Sequence, residues 1–114
     1  MNEGRWGERL AGWYLMLHGY RILERNYRVG RYELDIIARA MDGTICFVEV
    51  KTRGPHSFGL PREAVGQRKQ QYLYRAAQGY LMHTKAPDAP VRMDVVEVYL
   101  RPFHIIHIQN ALEM

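Results

Sequence analysis

The chain has 114 residues, of which 47% are hydrophobic and 25% charged, and its formal net charge is +4. This length and composition predict one domain, residues 1–114, with a hydrophobic core large enough to fold without a disulfide or a structural metal. One cysteine, Cys46, excludes an internal disulfide and a cysteine-based zinc site. The charged first residues lack the apolar segment of a signal peptide, and no apolar run approaches the length of a membrane span. We therefore expect a cytoplasmic protein without a membrane partner, whose mild positive charge is compatible with a polyanion.

A helix and a strand are the first elements expected along the chain. Residues 3–18 suit a helix with two apolar strips: Trp6, Leu10, Trp13, Tyr14 and Leu17 in one, Ala11 and Leu15 in the other. Glu8 shares the face of the second strip, and Gly19 is a typical stop signal. Residues 20–29 alternate loosely and predict a strand rich in arginine, which suits a solvated edge or a phosphate backbone.

Residues 32–53 predict a β-hairpin on which the rest of the chain is organised. Two runs rich in β-branched and aromatic residues, Leu34–Ala38 and Ile45–Val50, flank the turn signal Asp42-Gly43. In the first strand, strict alternation puts Glu33, Asp35 and Ile37 on one face and Leu34, Ile36 and Ala38 on the other. In the second strand, it puts Phe47, Glu49 and Lys51 on one face and Cys46, Val48 and Val50 on the other. The last of these sets is wholly apolar and is expected to face a core.

The length of the turn decides which charges meet across the hairpin. A two-residue loop would place Asp35 opposite Val50, whereas a three-residue loop with a left-handed Gly43 would place it opposite Glu49, and Glu33 opposite Lys51. We predict the three-residue loop. Two opposed carboxylates repel each other, and a hard divalent cation would turn that repulsion into coordination. The alternative is a stable hairpin with a solvated polar face. Charges that interrupt an apolar, buried-looking strand favour a site.

The rest of the chain predicts one more helix and two more strands. The expected elements are a loop over residues 52–60, a helical turn over 61–65, a helix over 67–83, a linker over 85–90, a strand over 91–100 and a short strand over 104–109. The order α-β-β-β-α-β predicts an α/β fold with a mixed central sheet flanked by helices. His104 and His107 would point to opposite faces of a strand, so we expect no shared metal there.

Motifs spread over almost the whole chain point to one family. They are Gly7-Glu8-x-x-Ala11, Glu33-Leu34-Asp35-Ile36-Ile37-Ala38, Phe47-Val48-Glu49-Val50-Lys51-Thr52-Arg53, Phe58-Gly59, Ala64-Val65, Lys69, Arg92-Met93-Asp94-Val95-Val96 and Ile108-Gln109-Asn110-Ala111. In these stretches the chain resembles the YraN family, small bacterial proteins related to archaeal Holliday-junction resolvases within the PD-(D/E)xK nuclease superfamily. Tyr32 departs from the pattern, because the family usually has glycine there.

The resemblance implies a restriction-endonuclease-like core and a metal-dependent site for phosphodiester hydrolysis. Asp35 and Glu49, with the carbonyl of Val50, would hold Mg²⁺ or Mn²⁺, and Lys51 would orient or activate the attacking water. Glu8 would reach the metal through water, and Glu33 would lie one step further out.

The same resemblance makes DNA the expected partner, with RNA as an alternative. The candidate phosphate contacts are Arg21, Arg25, Arg28, Arg53, Arg62, Arg68 and Lys69. Without a recognition helix or zinc finger, such contacts position DNA by its shape, so branched, flapped or junction DNA is expected. A homodimer would present the two sites that a junction resolvase requires. The rival hypotheses are a non-catalytic nucleic-acid-binding module and an interaction subunit. Exposure of Trp6, Trp13 and Tyr14 would favour the second rival.

Overall fold

A computed structural model describes residues 3–53, 67–85 and 88–112, with the backbone alone at residues 3–4, 67–69 and 112. Its elements are α1 (Glu3–Leu17), β1 (Arg21–Val29), β2 (Tyr32–Arg39), β3 (Ile45–Arg53), α2 (Gln67–His83), β4 (Val91–Leu100) and β5 (Phe103–Leu112). The predicted α-β-β-β-α-β order is confirmed, and the final strand is longer than the predicted residues 104–109. The predicted turn at residues 61–65 and most of the loop over 52–60 lie outside the described residues.

The five strands form one mixed sheet in the order β1-β2-β3-β4-β5. β3 and β4 are parallel, and the other neighbouring pairs are antiparallel. The chain needs α2 to return from the end of β3 to the start of β4, because parallel neighbours require a crossover. The predicted α/β architecture, a mixed sheet with helices packed on it, is therefore confirmed.

The hairpin between β2 and β3 has the predicted three-residue loop. The Ala40 N–H donates to the Thr44 carbonyl at 2.9 Å, and the Gly43 N–H donates to the Ala40 carbonyl at 3.0 Å. Gly43 has φ +93°, a conformation that glycine adopts without steric cost. The paired residues run from Arg39↔Ile45 to Ile36↔Val48, which is the predicted register, and the pairing ends one position before Asp35 and Glu49.

The two faces of the sheet carry separate cores. On the α2 side, Phe47 packs with Leu73, Ala77 and other residues of α2. On the α1 side, Cys46 and Val48 pack with Ala11 and Leu15, and Val50 lies against this cluster. The prediction that Cys46, Val48 and Val50 face a core is confirmed, and β3 is buried on both faces, as expected for a central strand.

The predicted alternation of β2 is wrong. Leu34 packs with Ile37 on the α2 side, whereas Ile36 packs with Ala38 on the α1 side. The grouping of Glu33 and Asp35 with Ile37, and of Leu34 with Ile36 and Ala38, therefore fails. The interruption falls where Asn26 of β1, with φ +50°, lies opposite Asp35, between the pairs Arg25↔Ile36 and Tyr27↔Leu34. A left-handed residue in one strand locally disturbs the pleat, and strict period-two counting does not survive such a point.

Tertiary packing buries the second apolar strip of α1 and divides the first. Ala11 and Leu15 are fully buried, and Leu10 and Tyr14 of the first strip pack against the same core. Trp6 and Trp13 of the first strip are 43% and 50% exposed. The helix ends where predicted, because Gly19 has φ +89° and the Tyr20 N–H donates back to the Leu15 carbonyl. Neither α1 nor any other helix within the described ranges is long and apolar enough to span a membrane.

Candidate nuclease site between two diverging strands

Asp35 is held at the point where β2 and β3 stop pairing. The Val50 N–H donates to Asp35 Oδ2 at 2.9 Å. A side-chain carboxylate thus takes the place that a backbone carbonyl would have in regular strand pairing. In a strand the N–H and C=O of one residue point to the same side, so the Val50 carbonyl is directed toward β2 as well. The Asp35 carboxylate thus sits at the level of the sheet, beside the backbone of the Glu49-Val50-Lys51 segment.

Glu49 and Lys51 leave β3 toward the face opposite α1, because Val50 between them packs on the α1 side. Glu49 is only 8% exposed. In the parallel register Lys51 is the neighbour of Glu97 on β4. Glu97 is fully buried and lies 3.4 Å from the guanidinium of Arg53. Glu49 is therefore buried, while Lys51 and Arg53 are half-buried, so this face is not the fully solvated polar face of the alternative.

Glu8 approaches Asp35 from α1, and Gly7 makes that approach possible. A Cβ at position 7 would overlap the hydroxyl of Thr52, so only glycine lets the helix lie this close to β3. Burial raises the pKa of Glu8, and the negative charge of Asp35 raises it further. A helix residue and a strand residue that are far apart in sequence thus bring two carboxylates into one electrostatic environment.

A cleft of about 270 Å³ opens beside these two carboxylates. It is lined by Arg5, Glu8, Arg9, Arg25, Asn26, Asp35 and Ile36. Arg25 reaches over α1 at Gly12, where a Cβ would meet the guanidinium nitrogens at 2.5 and 2.8 Å. Two carboxylates and three arginines along one cleft suit a cation and a polyanion together. Glu49 and Lys51 do not line this cleft.

The remaining candidate phosphate contacts have different surroundings. Arg21 and Arg28 are exposed on the edge strand β1, and Arg28 pairs with Glu33 at 3.0 Å. Glu33 is thus engaged across β1 and β2. Arg53 is engaged with Glu97. Arg62 lies outside the described residues, as do the side chains of Arg68 and Lys69 in the first turn of α2.

Tyr32, the departure from the family pattern, packs against α2. Its ring centroid lies 4.9 Å from that of Tyr72, and the Arg31 guanidinium carbon lies 5.9 Å from both ring centroids. The residue is therefore accommodated by the second helix.

The sequence analysis missed a buried polar network between β4 and β5. Arg92 donates to both oxygens of Asp94 at 2.9 Å, and His107 Nε2–H donates to Asp94 Oδ2 at 2.8 Å. The Asn110 N–H donates to Asp94 at 2.9 Å, and Arg92 also donates to the Tyr20 hydroxyl at 2.6 Å. The spacing Arg-x-Asp on one strand face was the available signal.

Burial and hydrogen bonding act on Asp94 in opposite directions. Burial of this fully enclosed residue would raise the pKa of its carboxyl. The hydrogen bonds from His107, Arg92 and Asn110 outweigh burial and lower that pKa below its ordinary value. Asp94 therefore stays ionised and holds β4, β5 and the start of β1 together.

The donor set around Asp35 fits a hard cation in kind. Carboxylate and backbone oxygens are the ligands of Mg²⁺ and Mn²⁺, and Mg²⁺ needs few protein ligands because it keeps several waters. No cluster of three or more His, Cys, Asp or Glu side chains with metal-binding geometry occurs within the described ranges. The ligands that the family resemblance implies are two carboxylates, Asp35 and Glu49, and the Val50 carbonyl, with water completing the coordination.

Comparison with known proteins identifies the family. The model of the uncharacterised protein family UPF0102 matches residues 7–98. A UPF0102 protein from Clostridioides difficile (strain 630) is 43% identical over 109 residues, covering 96% of this chain and 95% of that protein. One from Alkaliphilus oremlandii (strain OhILAs) is 46% identical over 112 residues, covering 95% of each.

Two solved structures show distant similarity. One is an EndoMS–dsDNA complex, with 16% identity and a TM-score of 0.38 over 76% of this chain and 34% of that chain. The other is Pyrococcus furiosus SfsA in complex with Ca²⁺, with 21% identity and a TM-score of 0.42 over 98% of this chain and 64% of that chain. The family assignment rests on the sequence matches, whose coverage runs nearly from end to end. The chain therefore belongs to the UPF0102 family, the same family to which its motifs pointed.

Proposed function

We propose that this chain is a metal-dependent endonuclease that hydrolyses phosphodiester bonds in DNA and selects branched, flapped or junction DNA. The observation that carries the proposal is the Asp35 carboxylate, held by the Val50 N–H at 2.9 Å beside Glu49 in the gap between β2 and β3. A carboxylate that replaces a backbone acceptor interrupts the sheet, and such an interruption is typical of a functional position.

Asp35, Glu49 and the carbonyl of Val50 would hold Mg²⁺ or Mn²⁺. When bound there, the cation supplies Lewis-acid polarisation of the phosphate and lowers the pKa of a bound water. The chain itself supplies the fixed oxygens: the Val50 N–H restrains Asp35, and the core beneath β3 restrains Glu49. Fixed ligands need little reorganisation when substrate binds, which favours catalysis.

Lys51 and Glu8 have supporting roles in this proposal. Lys51 would orient the attacking water and offset the charge that develops on the phosphate. Glu8 would accept a hydrogen bond from water near Asp35, because the two carboxylates are close enough for the charge of Asp35 to raise the pKa of Glu8. Glu33 remains one step further out, engaged with Arg28.

DNA would be positioned through its phosphates by the arginines around the cleft. Arg25 lies in the cleft, and Arg21 and Arg28 continue along the same edge strand. Phosphate contacts fix register without reading bases, so selectivity would come from the shape of the nucleic acid. A homodimer would bring two such sites to one junction.

A cleavage assay with Mg²⁺ or Mn²⁺ on flap, junction, duplex and single-stranded DNA tests this function. Asp35→Asn is the sharper variant, because Asn still offers an oxygen to the Val50 N–H, whereas Asp35→Ala leaves that donor without its acceptor at a cost of about 1–3 kcal/mol. We expect Asp35→Asn and Lys51→Met to lose cleavage and keep the fold. Glu24→Gln and Lys85→Met, which change exposed charges elsewhere, should cut like wild type. Equal cleavage by wild type and Asp35→Asn would refute the assignment.

The rival is a non-catalytic nucleic-acid-binding or interaction module on the same fold. The exposure of Trp6 and Trp13 on α1 favours the interaction module, since large exposed aromatics mark contact surfaces, whereas Tyr14 is half-buried against the core. Retained DNA binding without cleavage of any substrate, with either metal, would select this rival.

A further inference from the structure

One face of α1 presents two tryptophans to solvent. Trp6 and Trp13, here called the tryptophan face, are 43% and 50% exposed. They are seven residues apart, which places them on the same side of the helix and roughly 10 Å apart along its axis. Neither ring stacks on another ring within the part of the chain that the structure describes. About half of each side chain is therefore accessible to a ligand.

Positive charge surrounds the tryptophan face. Arg9 lies four residues before Trp13 and three after Trp6, and Arg5 lies one turn before Arg9, so all four share a continuous surface. Arg5 and Arg9 also line the cleft beside Asp35, together with Arg25. Among the described side chains of α1, the one carboxylate is Glu8, which turns toward Asp35. The surface is thus both aromatic and cationic, and it continues into the candidate site.

This combination matches the chemistry of unpaired nucleotides. Proteins bind single strands with a positively charged groove for the backbone and aromatic rings on which bases stack. A duplex buries the faces of its bases in its own stack, so it has none to offer to Trp6 or Trp13. A protein partner would gain less from Arg5 and Arg9, whereas phosphates complement them directly.

We propose that α1 binds unpaired nucleotides of DNA, with phosphates on Arg5, Arg9 and Arg25 and bases stacked on Trp6 and Trp13. The inference rests on the proposed function, because it gives the substrate of that site a single-stranded arm. The arm would leave the cleft beside Asp35 and cross the outer face of α1. Substrates with an unpaired segment, such as flaps and junctions with open arms, would then bind better than blunt duplex.

Tryptophan emission gives a direct test, because Trp6 and Trp13 are the two tryptophans of the chain. Oligo(dT) in EDTA should quench this emission, and a blunt duplex of the same length should not. Anisotropy of labelled oligo(dT) then gives affinities for Trp6→Ala and Trp13→Ala, each expected about tenfold weaker than wild type. Matched controls are Met16→Ala, an exposed apolar residue on α1, and Tyr74→Ala, an exposed aromatic on α2. Both controls should bind within about twofold of wild type, by the same stacking logic.

The salt dependence tests the phosphate contacts separately. Arg9→Ala should lower the slope of log affinity against log salt for oligo(dT) by about 0.7, the value for one contact to a single strand. Trp13→Ala should leave that slope unchanged while weakening binding. Circular dichroism of each variant confirms folding, which exposed substitutions should preserve.

Binding in EDTA separates this inference from the proposed function. Asp35→Asn should bind oligo(dT) as wild type does, although it should not cleave. Trp-dependent binding of oligo(dT) without cleavage of any substrate would refute the endonuclease and support the single-strand-binding surface on α1. Cleavage with unchanged oligo(dT) affinity in both Trp variants would overturn the single-strand surface and leave the nuclease standing. In that case loss of self-association in Trp13→Ala, measured by sedimentation, would reassign the face to a contact between copies.

Discussion

Replacing Gly7 with alanine tests how the site is assembled from a helix and a strand. The three atoms nearest to an added Cβ all belong to Thr52: Oγ1, which it would overlap, Cβ at 3.0 Å and Cγ2 at 3.2 Å. Rotating Thr52 about χ1 moves Oγ1 but leaves the Thr52 Cβ 3.0 Å from the added carbon, and the stiff β-branched side chain has few other rotamers. Overpacking of this kind costs about 1–3 kcal/mol, and the better helix propensity of alanine returns about 1 kcal/mol. We expect a net loss of about 1 kcal/mol in the free energy of unfolding.

Gly12→Ala is the matched control on the same helix. There the Cβ would meet only the terminal atoms of the Arg25 guanidinium, which can swing into solvent, so the gain in helix propensity should remain. Urea denaturation should therefore find Gly12→Ala about 2 kcal/mol more stable than Gly7→Ala. In the double-mutant cycle, Thr52→Ala should recover about 1–2 kcal/mol of the Gly7→Ala cost. Equal stability of the two glycine variants, or an additive cycle, would refute the close approach of α1 to β3.

Three further changes test the carboxylates and the hairpin turn. The pKa of Asp94 is lower in the folded state than in the unfolded state, where it is about 4. Asp94 therefore adds to the free energy of unfolding above that unfolded pKa, and this contribution is lost as pH falls through the pKa of the folded state. Asp94→Asn should therefore cost about 3 kcal/mol near neutral pH, and the difference from wild type should shrink in urea melts below about pH 4; a constant difference would contradict the role of ionised Asp94. Mg²⁺ or Mn²⁺ at about 100 times its dissociation constant should stabilise wild type by about 2.7 kcal/mol and leave Asp35→Asn unchanged in thermal melts; equal shifts would place the ion elsewhere. Gly43→Ala should cost about 1–2 kcal/mol, because φ is +93° and nothing lies within 4 Å of the added Cβ; no loss of stability would argue against this turn geometry.

Local chemistry was sufficient to place the hairpin, although it left two registers open. The Asp42-Gly43 signal and the apolar runs on either side predict a turn there. A glycine at positive φ suits a two-residue loop as well as a three-residue loop, and the strand pairing confirms the three-residue loop that we predicted. The bounds of α2 and β4 were also predicted, because their apolar spacing is regular and breakers flank them. In each case the deciding interactions connect residues that are close in sequence.

Long-range contacts decided what the sequence left open. Period-two counting put Asp35 on a face with Ile37, and only the backbone conformation of Asn26 on the neighbouring strand shows where the alternation breaks. The contact of Arg92 with Asp94 was signalled by their spacing on one strand, but the contact of His107 with Asp94 was not, because it forms only after β4 and β5 pair.

The sequence by itself determined the order of elements, the position of the hairpin turn and the residue types available for a site. Tertiary structure decided which apolar residues of α1 are buried, and so left Trp6 and Trp13 exposed while Glu8 turns toward Asp35. Both strips satisfy helical periodicity, so the periodicity alone did not separate their members. The choice depends on fit against the sheet, where Gly7, Ala11 and Leu15 pack closely and two tryptophans would not, and no count along the chain contains that information.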